Sequence, residues 1–304
     1  RMRRVILDTD IGSDVDDALA LALILKSDEL KLEAVTVVHG DLDVRARIAM
    51  KMLSLAGAGD IPVAKGIEKP LLMDRPVFWT GHEGEGILTP EDRDLKPAST
   101  HAIDLIVSKI MEAKGEITII AIGPLTNIAA AIIREPRITE YVRDIFIMGG
   151  VTRLFNGMNL PYREHNIRCD PEAAKIVFNS GMPITMVPLD VTMKTSINRD
   201  DLKVISSMKT PFTDAIVSMV ERYLEFRGRD YTWLHDPLAV AVSIDETLVR
   251  IVDMKVLVET RGEVADGQTI ALPASVREEA NARVCIDVDS SRFKRFFMER
   301  ILRS

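Results

Sequence analysis

The segment Val5-Ile6-Leu7-Asp8-Thr9-Asp10-Ile11-Gly12-Ser13-Asp14-Val15-Asp16-Asp17, running on into the apolar stretch Ala18–Leu25, decides the fold of this chain. A short strand-like run meets a helix-like run across a turn, and five aspartates fall within ten residues there. In an open α/β sheet such a junction lies at the carboxyl ends of the strands, where ligands bind. One or two aspartates there would serve as helix caps, satisfying free N–H groups and favouring the helix dipole. Five like charges exceed that need and repel one another unless a cation or a ligand compensates. Every donor is an oxygen, so a hard divalent metal is the simplest compensator. Asp16 and Asp17, adjacent at a helix start, point about 100° apart. One can hold a metal while the other contacts a substrate.

Strand-like and helix-like segments alternate from this point. Strands are expected at Val5–Leu7, Leu32–Val38, Ile61–Ala64, Ile117–Ile122, Ile145–Met148 and Ile184–Val187. Helices are expected at Asp16–Leu25, Val44–Leu55, Ala102–Ala113, Leu125–Ile133, Pro171–Asn179, Pro211–Phe226, Leu238–Val242 and Ser291–Leu302. The alternation predicts an α/β fold: an open, mostly parallel twisted sheet flanked by helices on both faces, with a Rossmann-like core. The long stretch from Gly66 to Thr100 is rich in Gly, Pro and charge, as functional lids often are. No linker separates independent units, so 1–304 reads as a single domain.

Three further stretches follow strands or open helices. Ile122-Gly123-Pro124-Leu125-Thr126-Asn127 lets a backbone approach a ligand and offers a strand-end carbonyl to a cation. Met148-Gly149-Gly150 precedes Asn156, Asn159, Glu164, His165 and Asn166, a loop dense in groups that suit sugar hydroxyls; single asparagines there are equally turn formers. Trp233-Leu234-His235-Asp236-Pro237 sets a histidine beside a carboxylate at a loop-to-helix junction, a place for an acid or a base-stacking contact.

Taken in order, these segments resemble the inosine–uridine-preferring nucleoside hydrolase family. Asp8-Thr9-Asp10-Ile11-Gly12 with Asp16-Asp17-Ala18, Gly123-Pro124-Leu125-Thr126-Asn127, Met148-Gly149-Gly150, Glu164-His165-Asn166 with Asp170-Pro171-Glu172-Ala173-Ala174, and His235-Asp236-Pro237 carry the resemblance. It implies an N-ribohydrolase that uses one Ca²⁺ to cleave ribonucleosides into nucleobase and ribose. The metal would be held by Asp10, Asp17, the carbonyl of Ile122, and Asp236. Asp10 would activate the attacking water. Asp16, Asn166 and Asn159 (or Asn156) would grip the ribose hydroxyls and Glu164 the 5′ end, while His235 would assist departure of the base. Asp8 would orient the ligands. The family also implies a homodimer or homotetramer, and a role in nucleoside salvage or catabolism.

The chain departs from the family at four places. Gly40-Asp41 stands where Gly-Asn is usual, and an aspartate there would add charge beside the water. The turn Ile11–Val15 is two residues longer than the shortest family pattern, which leaves Asp14 without a role. His165 replaces an aromatic. His82 lies in a loop resembling one whose histidine approaches the substrate. Around the base, Phe78, Trp79, His82, Tyr223, Phe226, Tyr231, Trp233 and His235 are the candidates.

Other readings compete. Asp8-Thr9-Asp10 after a strand also matches the nucleophile-and-acid pair of a haloacid-dehalogenase-like Mg²⁺ phosphatase, in which His235-Asp236-Pro237 has no place. A non-catalytic nucleoside- or ribose-binding protein needs no general base. Bulk properties fit a globular chain: 304 residues, 47% hydrophobic, 28% charged, formal net charge -7. That charge argues against nucleic acid or an anionic membrane as the main partner. No apolar run approaches the roughly 18 residues that span a bilayer. Basic residues lead straight into a strand, with no signal-like apolar segment. Cys169 and Cys285 form neither a metal spacing nor a disulfide framework, so a reducing cytoplasm is the expected compartment.

Overall fold

The computed structural model describes residues 2–154, 157–274 and 279–304. The chain begins β1 (Arg3–Thr9), α1 (Asp16–Leu25), β2 (Leu30–Val37), α2 (Leu42–Leu55), β3 (Val63–Lys65). After the long irregular stretch come α3 (Ala102–Glu112), β4 (Ile117–Ala121), α4 (Thr126–Arg134), α5 (Ile138–Tyr141) and β5 (Asp144–Met148). Next are α6 (His165–Cys169), α7 (Pro171–Phe178), β6 (Ile184–Val187) and α8 (Leu189–Thr192). The remainder is β7 (Ser196–Asn198), α9 (Arg199–Ser206), α10 (Pro211–Arg227), β8 (Tyr231–Trp233), α11 (His235–Ile244), β9 (Val249–Val258), β10 (Thr269–Pro273), β11 (Ala282–Val288) and α12 (Ser290–Ile301).

Nine strands form one sheet in the order β10-β9-β11-β6-β5-β4-β1-β2-β3. Every pairing from β11 to β3 is parallel, and only β9 runs against its neighbours. The expected mostly parallel α/β sheet is therefore present. β7 and β8 form a separate antiparallel pair. From β1 the chain winds outward through β2 and β3, then returns to place β4 on the other side of β1. That reversal makes the carboxyl ends of β1 and β4 the switch point of the sheet, and a crevice opens there. The ladder holds right to the edge: Val38 N–H donates to the Thr9 carbonyl (3.1 Å) and Ile122 N–H to that of Asp8 (2.9 Å).

Two apolar layers cover the sheet. On one face α1 and α11 lie at the centre, flanked by α2, α10 and α12; on the other lie α3, α4 and α7. α1 shows no apolar stripe because nearly its whole circumference is buried, as is that of α11, against which it packs. A helix apolar all round belongs in the interior. Caps aim several segments at the crevice. Asp41 caps α2, Glu164 caps α6, and Asp170 caps α7 with Pro171 at its first turn, the favoured position for proline.

Strands β9, β10 and β11 fall where no strand was expected. β9 carries Arg250, Asp253 and Lys255 along a segment whose buried residues are Met254, Val256 and Val258. Its alternation is that of an antiparallel strand with one wet face. The fold rests on the helix pair at its centre. Leu21→Ala, at a fully buried position of α1, is expected to lower the unfolding free energy by about 2–5 kcal/mol. Chemical denaturation read by circular dichroism checks this.

Candidate active site

A cavity of about 340 Å³ occupies the switch point. Its floor is built by the exits of β1 and β4 and by the first turns of α1 and α11. Asp10, Asp16, Asp17, Ile122, Glu164, Asn166, His235 and Asp236 all line it. These residues span more than 220 positions of sequence, and the parallel sheet brings them together because each follows a strand's carboxyl end or opens a helix there.

The carboxylates are crowded. Asp16, Asp17 and Asp236 are buried, and each offers an oxygen within 4.8 Å of the others. Asp17 accepts from the Thr9 hydroxyl (2.6 Å), and Asp16 accepts from the Asp236 backbone N–H (2.9 Å). Burial first, then repulsion by Asp14 and Asp17, pushes the Asp16 carboxyl well above the usual range. Burial and Asp10 do the same to Asp17, and burial with Asp16 and Asp17 to Asp236. Such a set is at ease only with a cation among it. The donors are hard oxygens, and Ile122 lines the same cavity, so the residues present fit a hard divalent ion. The tightest trio includes Asp16, where the resemblance implies Asp10. Asp10 nonetheless lies close enough to hydrogen-bond with Asp17.

Asp8 turns away from the cavity. Its Oδ1 accepts from the Thr36 hydroxyl (2.6 Å) and the Asn127 amide (2.8 Å), while its Oδ2 is buried with no hydrogen-bond partner. Burial pushes this carboxyl up to about 7. Glu164 accepts from the N–H groups of Asn166 (2.7 Å), Gly150 (2.9 Å) and Ile167 (3.0 Å), which orients it rigidly. The Asn166 amide nitrogen donates to the carbonyls of Ile122 and Met148, both at 3.0 Å. It therefore offers a ligand its oxygen, an acceptor for a sugar hydroxyl. On the opposite wall His235 Nδ1 lies 2.7 Å from the Thr192 hydroxyl, and Trp233 sits beside its ring. Withdrawal from water lowers the imidazole to about 4, so it is neutral at pH 7.

Three expected substrate contacts lie elsewhere. Asp41 is exposed and accepts from the N–H groups of Asp43 (3.0 Å) and Val44 (3.1 Å). It is spent as a helix cap and adds no charge to the cavity. His82 lines a neighbouring apolar cleft. Its Nε2 is 2.8 Å from the Ser13 carbonyl, and its ring stacks on Phe226 at 4.1 Å. Asn159 is exposed and does not line the cavity; Asn156 lies outside the described residues. Of the aromatic candidates only Trp233 and His235 line the wall. Sequence reasoning passed over Arg163 and Arg168, which line the rim, and left Asp14 without a role. Asp14 also lines the wall, and its carboxylate bonds the Tyr223 hydroxyl. Its membership of the aspartate cluster was the available signal.

The family model described as inosine-uridine preferring nucleoside hydrolase matches residues 5–295. The chain belongs to that family. It is an enzyme, a hydrolase acting on N-glycosyl compounds, which leaves no place for the phosphatase or the non-catalytic binder. It is 34% identical over 308 residues to the pyrimidine-specific ribonucleoside hydrolase RihA of Citrobacter koseri, covering 98% of this chain and 97% of that one. RihA of Enterobacter sp. (strain 638) is 35% identical over the same span. Among solved structures, a purine-preferring ribonucleoside hydrolase from Gardnerella vaginalis superposes with a TM-score of 0.88 at 31% identity, over 99% of this chain and 98% of that one. The plant nucleoside hydrolase PpNRh1 gives 0.86 at 30% identity, over the whole of both chains. Among the described residues of this nucleoside hydrolase no helix is long and apolar enough to cross a membrane.

Beside the site, His39 follows β2 with a φ of 69° and is almost fully buried. Its Nε2 accepts from Phe78 N–H (3.0 Å), and burial lowers its pKa to about 4. The folded state thus resists a proton that the unfolded chain accepts near pH 6.5. Stability from the neutral ring is complete above that pH and is lost as pH falls towards 4. Replacing His39 by Leu is expected to remove up to about 3 kcal/mol of the acid-dependent loss between pH 7 and 4. Urea unfolding at several pH values checks it.

Proposed function

We propose that this nucleoside hydrolase, acting as a single domain over 1–304, is a Ca²⁺-dependent ribonucleoside N-ribohydrolase that releases free nucleobase and ribose. The observation that carries the reading is the convergence of four aspartates, Asp10, Asp16, Asp17 and Asp236, with Asn166 and Glu164 in one cavity. Asp10, Asp17, Asp236 and the Ile122 carbonyl would hold the ion. When bound, Ca²⁺ neutralises the cluster, draws in vicinal hydroxyls and makes water more acidic.

Breaking an N-glycosidic bond builds positive charge on the ribosyl ring. A pocket rich in carboxylates, fixed in place before reaction, stabilises that charge. Asp10 takes a proton from the attacking water. Asp16 and the Asn166 oxygen accept from ribose hydroxyls, and Glu164 accepts from the 5′-hydroxyl. Attack on the face opposite the base gives inversion at C1′, as with glycosidases in which one carboxylate activates water. His235 meets the departing base. In the tautomer whose Nδ1 accepts from the Thr192 hydroxyl, the neutral ring carries its proton on Nε2 and can donate there, so no imidazolium is needed at pH 7. The two buried free thiols suit a reducing cytoplasm, and assembly is as a homodimer or homotetramer.

The test is reducing-sugar release from inosine, adenosine, guanosine, uridine and cytidine, with EDTA and with Ca²⁺ restored. Release that EDTA abolishes and Ca²⁺ restores is expected, and the ranking gives the base preference. No release from any of the five in the presence of Ca²⁺ overturns the reading. Asp10→Asn should fold normally and lower kcat by at least about a thousandfold through loss of the base. Near-normal turnover in that variant would remove Asp10 from this role. Asp236→Ala should chiefly weaken cation binding, measured by calorimetry, with activity partly recovered in excess Ca²⁺.

A further inference from the structure

Arg45 is among the largest fully buried side chains of the molecule, at 0% exposure. It lies on α2, and no Asp or Glu carboxylate among the described residues forms an ion pair with it. A guanidinium withdrawn from water without an anion is costly unless its donors are met by fixed dipoles. Here four donations are made, and all go to the exits of two strands. Nε donates to the His39 carbonyl (2.5 Å), beyond β2. One terminal nitrogen donates to the carbonyl of Asp10 and to that of Ile11 (3.0 Å), and the other to the Ser13 hydroxyl (3.0 Å), beyond β1. Ser13 passes the polarisation on to Glu83 (3.0 Å). The Trp79 ring covers the guanidinium face at 5.0 Å. Gly40 leaves room for that ring: its φ is +81°, and a Cβ there would stand 2.8 Å from Trp79 Cε3.

We propose that Arg45 is a positioning residue for the hydrolytic step: its planar fork ties the β1 exit to the β2 exit and so holds the Asp10 carboxylate in register with the attacking water. The proposal rests on the reading of Asp10 as general base. The residue gripped through its own carbonyl is the one whose side chain does the proton transfer, and the gripped turn is longer than the shortest pattern of the family. A loosened turn would let Asp10 sample several orientations, which costs rate when a reacting group must be held to within about an ångström. An ammonium cannot replace the fork, because its three donors radiate from one atom and do not stack on an indole.

The experiment is Arg45→Lys, assayed with saturating Ca²⁺ on whichever nucleoside the parent cleaves best. Amide hydrogen exchange over residues 10–13 is measured alongside. A folded variant is expected to lose at least about 30-fold in kcat with KM within about threefold, since ribose-binding groups on α1 and α6 are untouched. The amides of 10–13 should exchange at least about tenfold faster. Retention of kcat within about threefold, or an equal rise in KM, overturns the proposal. Trp79→Leu, at an exposed position, guards against misfolding of the lysine variant. It keeps all four hydrogen bonds but uncovers the guanidinium, and should lower kcat about 3–10-fold at unchanged KM; unchanged kcat overturns the proposal. If the parent chain releases no ribose, the nucleoside reading fails by itself, and unaltered exchange at 10–13 in Arg45→Lys then overturns the clamp separately.

Discussion

Like charges held out of water at the switch point of the sheet constrain everything else in this molecule. Asp16, Asp17 and Asp236 are each buried and within a few ångströms of one another, and Asp10 adds to the repulsion. No folding requirement produces such a cluster, and burial raises its cost because the low dielectric strengthens every repulsion. The surroundings meet part of that cost with fixed donors: the Thr9 hydroxyl on Asp17 and the Asp236 N–H on Asp16. What is left over is an affinity for positive charge. A divalent ion is the simplest species that satisfies it.

Supporting the cluster takes a network of hydrogen-bonded polar groups around and behind the cavity wall. Asp8 is locked by Thr36 and Asn127, and Asn127 also donates to the Val37 carbonyl and accepts from Ile67 N–H. This stitches together the exits of β1, β2 and β4. Arg45 does the same from beneath the β1 exit, and Glu164, on the cavity wall, is held by the N–H groups of Gly150, Asn166 and Ile167. Preorganisation of this kind is how a site avoids reorientation during reaction. Its cost is borne by the apolar layers on both faces of the sheet, above all by the fully buried pair α1 and α11.

The central strands and helices were legible because their signals are local. Asp16–Leu25 and Ile184–Val187 begin and end where the sequence pattern places them. Asp10, Asp17 and Asp236, which line the cavity, stood out in the sequence because several carboxylates at strand ends exceed what helix capping needs. The C-terminal strands were not, since Arg250, Asp253 and Lys255 disguise β9 as a surface segment. Arg45 was also invisible. An arginine beside Ala46, Ile48 and Ala49 reads as the edge of an amphipathic helix, and nothing local says that three carbonyls wait for it in another part of the chain.

The amino-acid sequence alone determined the alternating α/β order, the family and the chemical character of the site, because periodicity, caps and clustered charge act over a few residues. Tertiary structure alone decided which polar groups face the cavity. Asp41 and His82 sit in segments that approach the substrate in the family pattern, yet one is consumed by the first turn of α2 and the other by Ser13 and Phe226. Asp14, in a turn with no assigned role, lines the wall instead. A side chain's partner is set by which backbone donors and rings the folded chain brings within about 3–4 Å, and those come from segments far away in sequence.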